Sequence, residues 1–127
     1  MMIDLLHPLR LMLSQNLPFT PIYTSWKTGQ RRFVISDHSE GKRQIRQIAA
    51  HVLSNRQPPY AIRGGIFDIL HDSGGDTLVA NNAEIQQASC LFYKHEGIDI
   101  DPAAGVAFAS LRRTAASGYI EKGATSY

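Results

Sequence analysis

The chain has 127 residues, 43% of them hydrophobic and 19% charged. That balance excludes disordered, collagen-like and coiled-coil classes and suits one domain over residues 1–127. The formal charge of +2 is too weak to imply a polyanion, so no nucleic-acid partner is expected.

The N-terminal stretch Met1–Leu13 carries Asp4, His7 and Arg10 and lacks a small-residue cleavage site, so it is not read as a signal peptide. No apolar run reaches the roughly 18 residues of a membrane span. The lone cysteine, Cys90, excludes an internal disulfide and fits a reducing compartment, the cytoplasm.

In chain order, Leu9–Gln15 alternates and predicts a strand. Pro21 opens a short helix with Thr20 as N-cap, which runs to Lys27 and stops at Gly29. Between Glu40 and Asn55, Ile45, Ile48, Ala49, Val52 and Leu53 recur with helical spacing, which predicts one amphipathic helix. Pro58-Pro59 ends it, and the loop Tyr60–Gly65 follows. A short helix over Ile66–His71 stops at Ser73-Gly74-Gly75.

Thr77–Ala80 predicts a second strand, and Asn82 is the expected N-cap of a helix through Lys94. Ile85, Ala88, Leu91 and Phe92 form its inner stripe, Gly97 its C-terminal stop. Ile98-Asp99-Ile100 predicts a third strand. Asp101 then caps a helix with Pro102 first, running through an alanine-rich, largely buried stretch to Gly118. The order β-α-α-α-β-α-β-α predicts an α/β fold, a three-layer sandwich with a small, mostly parallel sheet flanked by helices.

Candidate chemistry is sparse. The five histidines show no metal-ligand spacing, so no metal site is expected. Cys90 lies mid-helix with nothing nearby to lower its pKa and reads as structural. Arg31-Arg32, Lys42-Arg43, Arg46 and Arg56 lack interleaved aromatics and read as solvated surface. Gly64-Gly65 and Gly74-Gly75 read as turns, since neither carries the rest of a phosphate loop. At Asp101–Gly105 a strand runs into a small-residue helix whose free N–H groups suit an anion, although tight helix packing is the stronger reading.

Four stretches together resemble the fold-type II pyridoxal phosphate enzymes of the threonine synthase and cysteate synthase type. They are Ser14–Tyr23 with Trp26-Lys27, Asn55–Gly65, Asn82–Glu96 and Gly97–Ala104. The resemblance implies part of the large domain of such an enzyme, its C-terminal portion. It also implies a fragment or truncated form that is not catalytic alone. Pyridoxal phosphate is the implied cofactor, with Asn16, Arg63, Gly64, Gly65, Asp101, Pro102 and Ala103 on the cofactor side.

The family pattern is met only in part. Its Schiff-base lysine, usually in a Ser-x-Lys setting, has no counterpart among Lys27, Lys42, Lys94 and Lys122, and its glycine-rich phosphate loop is missing. Glu121–Thr125 resembles the run into the family's last strand. The complete enzyme is expected to replace the β- or γ-phosphate of a small phosphorylated amino acid by sulfite or water. The competing reading is a non-enzymatic binding or oligomerising domain, a homo-oligomer or one subunit of a two-chain enzyme.

Overall fold

The computed structural model describes residues 9–35 and 37–118. The readings placed on Met1–Pro8, Glu121–Thr125 and Lys122 lie outside the described residues.

Two strands, β1 (Met12–Asn16) and β2 (Asp76–Ala80), pair in parallel, with Met12 opposite Asp76 and Asn16 opposite Ala80. The helices are α1 (Pro21–Lys27), α2 (His38–Gln47), α3 (Ile66–Ser73), α4 (Asn82–Glu96) and α5 (Pro102–Ala116), with a 3₁₀ turn at His51–Leu53. Both α1 and α5 pack against the sheet, and α4 packs on α5. The fold is α/β, as expected, but its sheet is smaller.

The third strand does not form. Ile98–Ile100 is an irregular link between α4 and α5, and Ile98 is 56% exposed. Three alternating residues carried too little burial to compete with a short helix–helix connection.

The predicted helix over Glu40–Asn55 also needs correction. It starts earlier, at His38, because the Asp37 carboxylate accepts from the Glu40 N–H. It ends at Gln47, and Ile48 is extended (ψ 142°). Ile48 is nonetheless buried, while Val52, placed on the inner stripe by periodicity, is 80% exposed. The cause lies in two distant asparagines, described below.

Helix α4 begins one residue earlier than expected. Asn81 is its N-cap, in a reciprocal capping box with Glu84. The α5 cap is as expected: Asp101 Oδ1 accepts from the Ala104 N–H at 3.0 Å, with Pro102 next. That helix is buried along one stripe only, Gly105, Val106, Ala109, Ser110 and Thr114, while Ala104 and Ala107 face outward. Cys90 is exposed on α4.

The main core joins Ala50, Ala80, Ile85, Ala88, Val106 and Ala109. Gly105 lets α4 and α5 approach closely. A Cβ there would lie 2.9 Å from Ile85 Cγ2 and 3.0 Å from Ser89 Oγ. On the other flank, Tyr60 and Phe67 meet edge-on at 6.0 Å, with Trp26 tilted against Phe67 at 5.6 Å. No helix among the described residues is long and apolar enough to cross a membrane.

Candidate functional site

In open α/β sheets, ligands gather beyond the carboxyl ends of the strands. Here those ends are Asn16 and Ala80, which sit opposite one another. Asn16 is fully buried. Its Nδ2 donates to Leu17 O at 2.9 Å, Ala80 O at 3.2 Å and Asn82 Oδ1 at 3.1 Å. Its Oδ1 accepts from the Ala50 N–H at 3.0 Å.

Asn82 extends the node. Its Oδ1 also accepts from the Ala49 N–H at 3.0 Å, and its Nδ2 donates to Gln47 O at 2.6 Å. These two carboxamides take the backbone groups of residues 47–50 that a continued α2 would pair internally. The helix therefore breaks there.

The second group is Arg63-Gly64-Gly65 at the start of α3. Arg63 and Gly64 are exposed. Gly64 has φ +75°, and its N–H donates to Asp68 Oδ2 at 2.7 Å. Gly65 has no room for a side chain. A Cβ would collide with the Pro59 carbonyl and lie 2.9 Å from the Ile62 carbonyl. Asp68 also pairs with Arg31, whose guanidinium lies 4.9 Å over the Phe67 ring. The Arg31 hydrogen bond, then the Gly64 N–H, hold the Asp68 carboxyl below its ordinary value. Arg31 and Asp68 thus clamp the loop before α3.

The third group is Asp101-Pro102-Ala103. The Asp101 carboxylate already occupies the start of α5, Pro102 has no N–H, and Ala103 packs on the main core. No hydrogen bond joins the three groups among the described residues.

A phosphate-bearing cofactor needs free donors and, for an aldimine, a desolvated amine. The Asn16 amide is consumed, the Gly64 N–H is consumed, and the α5 N-terminus faces its own carboxylate. Lys27 is half-exposed and paired with Asp76 at 3.4 Å, while Lys42 and Lys94 are exposed on helices. Among the described residues, one cavity of about 30 Å³ lies beside Phe19, Phe33 and Arg56, and another of about 350 Å³ beside Thr28, Gln30 and Arg32. None of the seven expected residues lines either cavity. Arg63 presents an exposed guanidinium, but Lys27, Lys42 and Lys94 are all solvent-exposed, so the described residues offer no desolvated amine for an aldimine. Among them, no group of three or more His, Cys, Asp or Glu side chains could hold a metal ion.

Sequence reasoning named Asn16 but missed Asn82 as its partner and the Arg31–Asp68 clamp. A helix-capping position explained Asn82 locally. Nothing within a few residues of Arg31 or Asp68 signals their pairing.

What the fold defines is an α/β unit built on a parallel strand pair, and the chain is similar to part of curated cysteate synthases. Several curated relatives are cysteate synthases. It is 44% identical to that of Methanocorpusculum labreanum over 113 residues, 88% of this chain and 27% of the relative. It is 44% identical to that of Methanocella paludicola over 114 residues, and 43% identical to that of Methanosarcina mazei over 114. The chain thus spans about a quarter of the length of the curated relatives it matches. No family model matches the chain, and no solved structure does.

Proposed function

We propose that this chain is a structural portion of a cysteate synthase-type enzyme, a fragment or truncated form that is not catalytic alone. In this reading it corresponds to a C-terminal part of the large domain of a fold-type II enzyme. The observation that carries it is the alignment: 44% identity over 88% of this chain, matched to 27% of the relative. The consumed donors of Asn16 and Gly64, and the Asp101 carboxylate that accepts from the Ala104 N–H, agree with a supporting role.

In an assembled enzyme of that type, pyridoxal phosphate would supply an electron sink for chemistry on a small phosphorylated amino acid. Its lysine and phosphate loop come from sequence outside this chain. This chain's own contribution is positioning. Asn16 and Asn82 fix the end of the strand pair against residues 47–50, while Arg31 and Asp68 fix the loop at Arg63–Gly65. Arg63, Gly64, Gly65, Asp101, Pro102 and Ala103 then shape a wall that the remaining sequence completes.

The test is a graft. The matched residues of the Methanocorpusculum labreanum relative are replaced by those of this chain, and sulfite incorporation into O-phosphoserine is measured. Activity within about tenfold of the parent supports the reading; a folded but inactive graft sinks it.

A second reading, a non-enzymatic oligomerising domain, is favoured by exposed apolar side chains such as Ile35 (74%) and Val52 (80%). It predicts concentration-dependent self-association in sedimentation, and an inactive graft.

A further inference from the structure

Between Lys27 and Arg63 the chain carries eight lysines and arginines against two acids, Asp37 and Glu40. Both acids are spent locally: Asp37 caps α2, and Glu40 pairs with Arg43. Lys27 and Arg31 are held by Asp76 and Asp68. Arg32 and Arg56 make no hydrogen bond or ion pair among the described residues.

These two arginines flank one apolar wall. Phe33, Val34 and Ile35 line both cavities, with Arg32 on the larger and Arg56 on the smaller. No described Asp or Glu lines either. The wall is held from behind. The Val34 N–H donates to Oγ of the buried Ser25 at 2.8 Å, and Phe33 tilts against the buried Tyr60 ring at 5.7 Å. Val34 and Ile35 are left exposed. The face is thus a preformed aliphatic surface with unspent cations beside it and no negative charge.

We propose that this face docks an acidic segment of a protein partner, with carboxylates on Arg32 and Arg56 and an aliphatic side chain against Val34 and Ile35. Guanidinium forks bind carboxylates bidentately, and an apolar centre with a polar rim is the anatomy of a protein interface. Nucleic acid is disfavoured, because the Phe33 ring is committed to Tyr60 and is not offered for base stacking. A second copy is disfavoured, because a twofold contact centred here sets a basic patch against itself. The proposal does not rest on the enzyme reading.

The experiment measures fluorescence anisotropy of this chain with a short labelled peptide of alternating Glu and Leu. Its Gln–Leu and Glu–Ser counterparts, and a single-stranded oligothymidine, serve as competitors for the same role. The Glu–Leu peptide is expected to bind about tenfold tighter than any of the three, and severalfold weaker at high salt. Arg32→Ser together with Arg56→Ser is expected to weaken it about tenfold, and Ile35→Ser severalfold. Should the double variant fail to fold, photo-crosslinking of the peptide to the unaltered chain decides, with adducts expected within residues 30–35 and 56–57. Adducts confined elsewhere, or equal binding by the altered and unaltered chains, overturn the proposal. Equal binding of the three peptides overturns it as well. Tighter binding of oligothymidine makes nucleic acid the occupant, and self-association that Ile35→Ser abolishes makes it a second copy; either result overturns the assignment.

Discussion

The buried Asn16 amide donates to the side-chain oxygen of Asn82 at 3.1 Å, across 66 residues of sequence. This one contact joins the carboxyl end of β1 to the first turn of α4. Through the Ala49 and Ala50 N–H groups it also holds the segment that follows α2. Asn16→Ala strands several buried backbone groups and is expected to cost about 3 kcal/mol. Asn82→Ala, at an exposed position, is expected to cost about 1 kcal/mol. Urea denaturation of both single variants and the double variant gives the coupling, expected near 1 kcal/mol. Additive losses would show that the two amides act independently.

That node also explains what was legible in the sequence. Elements set by local chemistry were readable: Pro21 and Pro102 at helix starts, the Asp101 cap, and Gly29, Gly74 and Gly97 in left-handed geometry at helix ends. The stretch 45–53 was misread because its periodicity is helical while its backbone is captured by Asn16 and Asn82, which are distant in sequence. Ile98–Ile100 alternates like a strand but has no neighbour to pair with among the described residues. Of the candidate site, the residues near Gly64 and Asp101 were readable as tight backbone positions, but not the partners that occupy them.

Gly65→Ala is expected to be the costlier of the two glycine substitutions before α3, at about 2 kcal/mol or more, because its Cβ meets the Pro59 and Ile62 carbonyls. Gly64→Ala meets open space and is expected to cost about 1 kcal/mol through its φ of +75° alone. Thermal or urea denaturation checks the order. Equal or reversed costs would mean the Gly65 contact is not rigid.

Tyr60 is almost wholly buried, burial pushes its phenol pKa up, and its hydroxyl has no hydrogen-bond partner among the described residues. Removing an unsatisfied buried hydroxyl is neutral or favourable. Tyr60→Phe is therefore expected to change stability by about 0 to +1 kcal/mol. A loss above about 1 kcal/mol would reveal a bond that the hydroxyl makes in solution.

Acid should weaken the Arg31–Asp68 clamp. The Asp68 carboxyl is held below its ordinary value of about 3.8, so its contribution is present above that value and lost as pH falls through the lower folded one. Stability is therefore expected to fall as pH drops from about 5 to 2. Asp68→Asn should flatten part of that slope, as read from denaturation midpoints across pH. An unchanged slope would remove Asp68 from the acid response.

The central claim is that this chain supports a pyridoxal phosphate site without forming one. Its most direct test is borohydride trapping of the purified chain with pyridoxal phosphate, read by intact mass and peptide mapping, alongside an assay with O-phosphoserine and sulfite. The account predicts no stoichiometric adduct on any one lysine and no turnover. A one-to-one adduct at a single lysine, accompanied by turnover, would contradict it.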